Sequence, residues 1–211
     1  MADHDTLIDS LSQSARPVRR PLPTPVRVAL WTLLALPCGV LVTLHLHHGW
    51  TDWSRPGALW PMIALGLSFV LGALGIATGF DLGIAGRKVI GWTVFVPLIA
   101  AWLAASAMTL SLSADPIGLI GSGSYCYTFM TLAGAPMVVL AILMLRRTRA
   151  LQPGKALAVA GLGIAFMAAT LLTLCHSVDG QVIDYVMHLA AGLTLVGATV
   201  LLGRRWVAIP K

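Results

Sequence analysis

The stretch CYTFMTLAGAPMVVLAILML, residues 126–145, decides the fold class. It runs twenty residues without a charge and is closed by Arg146 and Arg147. At about 1.5 Å rise per residue, such a run reaches roughly 30 Å, the thickness of a bilayer's hydrocarbon core. Five more runs of the same kind flank it: Val28–Leu46, Ala58–Ile76, Val89–Leu112, Ala156–Cys175 and Val182–Leu202. None alternates polar and apolar residues over a whole segment, as a barrel strand would. The chain reads as an all-α, polytopic integral membrane bundle of six transmembrane helices.

Composition agrees. Of the 211 residues 57% are hydrophobic and only 10% charged, against about 25% charged in soluble domains. Mean hydropathy is +0.85. There is too little polar surface to coat a soluble enzyme or a nucleic-acid module of this size.

The basic residues set the orientation. Arg16, Arg19, Arg20 and Arg27 precede the first run, and Arg87 and Lys88 lie between the second and third. Arg146, Arg147, Arg149 and Lys155 lie between the fourth and fifth, and Arg204, Arg205 and Lys211 follow the sixth. Of fourteen Lys and Arg residues only Arg55 falls in the alternate loops. Loops that keep positive charge stay inside, so both termini are expected in the cytoplasm of a cell with an inner (plasma) membrane. The pI near 9.8 follows from this bias and needs no nucleic-acid partner. The first run follows 27 polar or basic residues and lacks a small-residue cleavage site, so it reads as a membrane span and not a signal peptide.

Residues 1–26 form the one sizeable soluble segment, residues 27–205 the membrane domain, and residues 206–211 a short tail. The segment opens on Asp3-His4-Asp5-Thr6-Leu7-Ile8-Asp9-Ser10-Leu11. On a helix Leu7, Ile8 and Leu11 share one face, and Asp5 and Asp9 lie an i,i+4 step apart on another. About ten residues make a marginal helix in water. The segment is therefore either a disordered leader or one that folds against a partner. Pro17, Pro21, Pro23 and Pro25 then read as an extended spacer.

Pro37, Pro97 and Pro136 lie inside apolar runs, where neighbouring helices tolerate kinks. Gly75 and Gly79 form a GxxxG pair, which indicates close helix packing. Glu is absent, and Asp184 is the one acid inside a run, which argues against a proton-coupled transporter. No internal repeat, phosphate loop, dinucleotide fingerprint or nucleophile motif is present.

The polar side chains worth weighing gather on the expected outer side. They are His45, His47 and His48 after the first run, Asp115, Cys126, Cys175, His176, Asp179, Asp184 and His188. A haem or quinone site using His45 or His47 with His188 is one reading. Interfacial histidines, with His188 paired to Asp184, is the blander one. Cys38 lies deep in the first run and reads as a small core hydrophobe. Cys126 starts the fourth run and Cys175 ends the fifth, so antiparallel neighbours place both thiols at one height, on the outer surface. A permanent disulfide, a redox switch and a soft-metal site of Cys126, Cys175 and His176 are the open readings.

In the order of these features the chain resembles the NrsF family of bacterial membrane anti-sigma factors. The features are Leu7-Ile8 with Leu11, Arg16-Pro17-Val18-Arg19-Arg20, Cys126 with Pro136 and Arg146-Arg147, Cys175-His176-Ser177-Val178-Asp179, and Leu202-Gly203-Arg204-Arg205-Trp206. His176 stands where the family usually has Pro, and Met187-His188 where it has an aromatic pair. The resemblance implies a negative regulator without enzymatic activity or cofactor. It would hold an extracytoplasmic-function (ECF) sigma factor at the membrane through Asp5, Leu7, Ile8, Asp9 and Leu11. Oxidative or metal stress sensed at Cys126 and Cys175 would release that partner. Besides the sigma factor and the lipid bilayer, no nucleic acid or small-molecule substrate is implied.

Overall fold

The computed structural model describes residues 2–14, 21–46, 50–113, 117, 124–148, 150, 152–175 and 178–208. Among them the regular structure is entirely helical. A short α1 (Ala2–Ser14) precedes six long helices: α2 (Thr24–Leu46), α3 (Leu59–Leu82), α4 (Trp92–Ser111), α5 (Ser124–Leu145), α6 (Pro153–Thr173) and α7 (Val182–Val207). All six long helices are long and apolar enough to cross a membrane.

Two boundaries differ from the apolar runs for packing reasons. The second run stops at Ile76, yet α3 continues to Leu82. Gly79 fits there against Ala156 and Ala160 of α6, so tertiary packing carries the helix past glycines that would weaken it in isolation. Helix α2 begins at Thr24, ahead of its run, with Pro25 inside its first turn. Proline is tolerated there because the first amides have no intrahelical acceptor. Pro25 therefore starts the helix and does not extend the spacer. Pro37, Pro97 and Pro136 are all accommodated within α2, α4 and α5.

Helix α6 is the centre. Twelve of its residues are buried, against three in α4. It packs on α3, α7 and α5, while α2 packs chiefly on α5, and α4 on α3. The tightest seam joins α3 to α6. A Cβ on Gly75 would lie 2.8 Å from Gly163 Cα, and one on Gly163 would lie 2.7 Å from Ile76 N. Hydrogen in place of a side chain is what lets these backbones approach. In lipid, where apolar surfaces gain little by leaving the solvent, such contact supplies much of the association. The Gly75–Gly79 spacing thus finds its partner in α6.

The bundle has two unlike ends. At the basic end the start of α2 is clipped to the end of α3. Thr24 Oγ1 donates to Asp81 Oδ1, and Arg87 Nη1 donates to both Thr24 Oγ1 and Asp81 Oδ1, the latter at 3.0 Å. One turn further along α2, Arg27 is buried. Its guanidinium stacks 4.5 Å over the Phe80 ring and donates from Nη1 to the Phe80 carbonyl at 3.3 Å. The other end carries Cys126 and Cys175.

Candidate functional site: a buried thiol end and an exposed tail helix

Cys126 is the third residue of α5 and is 2% exposed. Its Sγ lies 3.5 Å from Asp184 Oδ1 on α7, with the thiol donating. Asp184 is itself buried, and its Oδ2 accepts the Gln181 backbone N–H at 3.2 Å, closing a capping box on the first turn of α7. A box of this kind satisfies amides that a helix start leaves unpaired. One carboxylate therefore both begins α7 and ties it to the start of α5.

Cys175 lies two residues beyond α6 and is buried. Burial pushes its thiol above the ordinary range, because the thiolate would lose its hydration. Both cysteines are free thiols within electrostatic reach of the Tyr125 hydroxyl. They share one end of the bundle, as the helix arithmetic expects, but they are buried and do not lie on its surface. Cys38 is half-buried in α2.

The backbone around the thiols is pinned by the other loops. Tyr125 Oη donates to the Leu46 carbonyl at 3.2 Å. Thr51 donates through N to Leu174 O at 3.0 Å and through Oγ1 to Thr173 O at 2.8 Å, beside Cys175. Arg55, the one basic residue expected at this end, meets Asp179 at 3.4 Å across the surface. Exposed pairs of this kind contribute little stability, yet this one joins the α2–α3 loop to the α6–α7 loop.

A small cavity of mixed lining lies beside the Cys126–Asp184 contact. It holds about 70 Å³ and is lined by Ser106, Thr109, Thr173, Asp184, Tyr185 and His188, among others. Tyr185 Oη donates to the Ser106 carbonyl at 3.2 Å. Such a space is roomy and polar enough for water. Among the described residues no three His, Cys, Asp or Glu side chains converge as a metal site would require. His176, the third member of the expected soft-metal set, lies outside the described residues, as do His47, His48 and Asp115. His45 lies exposed in the last turn of α2.

Sequence reasoning placed Cys126 with Cys175 and missed Cys126 with Asp184. The available signal was Asp184, the one acid inside an apolar run, which needs a donor on some neighbouring helix. The Thr24–Asp81–Arg87 clip was also missed, although Asp81 sits at the foot of a glycine-rich run beside two basic residues.

At the chain's start, α1 is a complete helix whose residues 4–14 are all exposed. Leu7, Ile8 and Leu11 are 56%, 61% and 60% exposed on it. Asp5 and Asp9 are exposed on the same helix. Arg16, Pro17, Arg19 and Arg20 lie outside the described residues.

Compared with known proteins, the chain matches the family model described as "NrsF: Negative regulator of sigma F" over residues 11–208, nearly its whole length. No curated protein matches, and no solved structure matches.

Proposed function

The chain belongs to the NrsF family of negative regulators of sigma F, and from that membership we propose that it is a membrane-bound anti-sigma factor for an ECF-type sigma factor. In this reading it sits in the inner membrane with both termini cytoplasmic, as the basic residues require. It needs no cofactor and performs no catalysis; its output is the release of a protein.

The observation that carries the reading is α1. Three large apolar side chains on an exposed helix would not stay in water without a partner to receive them. The same helix carries Asp5 and Asp9, and a cytoplasmic leaflet rich in anionic lipid repels such a helix. A basic, grooved protein surface fits it better than the bilayer does. We assign Leu7, Ile8 and Leu11 as the anchors and Asp5 and Asp9 as the charges that steer a sigma factor onto them.

Cys126 and Cys175 are the input in this reading. Oxidation to a disulfide gives two electrons to the oxidant and releases two protons, and binding of a soft metal likewise requires both thiols to lose their protons. Either event takes the Cys126 proton from its contact with Asp184 and so alters the junction of α5 with α7. Helices α5 and α6 are joined at the basic end through residues 146–152. A lean of their thiol ends would therefore be passed to the basic end, where α2, the helix that follows α1 in the chain, begins.

The test is co-purification of the tagged full-length protein from its own host. A sigma factor should accompany the whole chain and not the chain lacking residues 1–14. Oxidant or cadmium treatment should release it from wild type and from Cys38→Ser, but not from Cys126→Ser or Cys175→Ser. Retention of the sigma factor by the shortened chain would overturn the assignment of α1, and a normal response in both outer serine variants would overturn that of the thiols.

A further inference from the structure

Between α2 and α3 runs an apolar groove of about 880 Å³. Its walls include Val28, Leu33 and Pro37 from α2 and Phe69, Ala73 and Ala77 from α3. From Thr24 to Pro37 it covers thirteen helical steps, or roughly 20 Å. One leaflet of a hydrocarbon core is roughly 15 Å deep. The groove thus reaches from the headgroup level to about mid-bilayer and stops.

The mouth of the groove is polar and carries charge. Thr24 and Asp81 line it, and Arg87 holds both. Lys88 follows, exposed. Asp81 neutralises Arg87, and the exposed Lys88 next in the chain leaves the mouth with one surplus positive charge. Arg27 lies behind the mouth, buried against Phe80 and outside the groove's lining. Arg87 uses one nitrogen in the clip, and a guanidinium has five donors. A long apolar trough, one leaflet deep, with surplus positive charge and spare donors at its mouth, has the complementarity of an anionic phospholipid.

We infer that the α2–α3 groove binds an anionic phospholipid of the surrounding leaflet, with an acyl chain along Val28–Pro37 and its phosphate at Arg87 and Lys88. Basic pockets between membrane helices recognise acidic headgroups in this way. Because α2 makes few contacts with α3 beyond the clip, the lipid would fill the space that side chains leave. Its binding is independent of the sigma-factor reading.

The experiment reconstitutes the full-length protein in nanodiscs of equal parts phosphatidylglycerol and phosphatidylcholine. The protein is then released into mild detergent, and the lipids retained on it are measured by native mass spectrometry. Phosphatidylglycerol should be retained in preference to phosphatidylcholine. Lys88→Gln, which leaves the clip intact, should reduce that preference roughly fivefold, as about 1 kcal/mol per basic residue near anionic lipid implies. Ala77→Phe, which fills the trough, should lower retention of both lipids, while Arg205→Gln, a charge at the same end but outside the groove, should change nothing. Equal retention of the two lipids by wild type would overturn the inference. So would a preference that survives Lys88→Gln, or one that Arg205→Gln reduces as much. Unchanged retention in folded Ala77→Phe protein would move the lipid elsewhere and overturn it too.

Discussion

Cys126 on α5 and Asp184 on α7 meet across 3.5 Å, with the thiol as donor and a carboxylate that also caps its own helix as acceptor. The contact is buried on both sides. A thiol is a weak donor, but a buried acceptor that loses its donor bears the desolvation cost of the unpaired group. Any chemistry at Sγ is therefore felt at the first turn of α7 before it is felt elsewhere.

Removing both members should reveal this coupling. Asp184→Ala should lower stability by about 1 kcal/mol through the lost cap, with a further loss through the thiol contact. Cys126→Ala on that background should cost less than in wild type, by about 0.5–1 kcal/mol. Thermal unfolding of the four proteins in one detergent measures it, and additive losses would mean that the contact contributes nothing.

The glycine seam between α3 and α6 should tolerate no side chain. Gly163→Leu would place carbon where Ile76 N and Gly72 O stand within 2.8 Å, an overpacking worth at least 1–3 kcal/mol. Gly66→Ala on the same α3 meets nothing within 4 Å and should hold or raise stability. The difference in melting temperature between the two variants checks the seam directly.

Titration of Cys175 should follow its burial. Burial raises the thiol above its ordinary value, so the native protein binds that proton more tightly than the unfolded chain does. Stability from this source is complete below the unfolded value and declines as pH rises through the native one. Alkylation of Cys175 in the folded protein should therefore be slow at pH 7 and accelerate at a higher pH than in the same protein unfolded in dodecyl sulfate. Peptide mass spectrometry reads both rates, and coincident pH profiles would contradict the burial.

Binding through α1 should divide by residue type. Leu7→Ala with Leu11→Ala removes two anchors, each typically worth ~1–2 kcal/mol, and should weaken capture of the sigma factor more than tenfold. Asp9→Asn should weaken it less and flatten its salt dependence. A binding assay over a salt series separates the two, and unchanged affinity in the double alanine variant would remove α1 from the interface.

Topology is open to reporter fusions. Those after Trp53, Asp115 and Asp179 should register as external, and those after Asp81 and Pro153 as internal. Cytoplasmic signals after both Asp115 and Asp179 would reverse the assignment.

What was legible in the sequence is what periodicity and run length encode. Six apolar runs became six helices, and the positions of Cys126 and Cys175 along antiparallel neighbours put both thiols at one end. The depth of the thiols was not legible, because burial depends on how loops close over a helix end: Thr51 reaches Leu174 across more than a hundred residues. Nor were the cross-helix polar pairs. Whether Asp184 faces Cys126, or Asp81 faces Thr24, depends on the rotation of each helix about its axis, which interlocking side chains set. The extension of α3 past Ile76 was hidden for a related reason. Gly79 marked a packing face near the end of the run, but only the surface of α6 carries the helix on through Asp81 to Leu82.

The pairing of α3 with α6 has a consequence for how the chain is made. The glycine face of α3 is complete once Leu82 has been synthesised, but its partner ends at Thr173, about ninety residues later. At roughly 5–20 residues per second, that face waits some 5–20 s in lipid before α6 inserts. Helix α2 waits similarly for α5. The early spans cannot finish as a hairpin of their own, because their closest neighbours are still on the ribosome. Biogenesis of this protein is thus an interleaving of two halves, and a chain truncated before residue 153 would leave membrane helices whose best surfaces have nothing to meet.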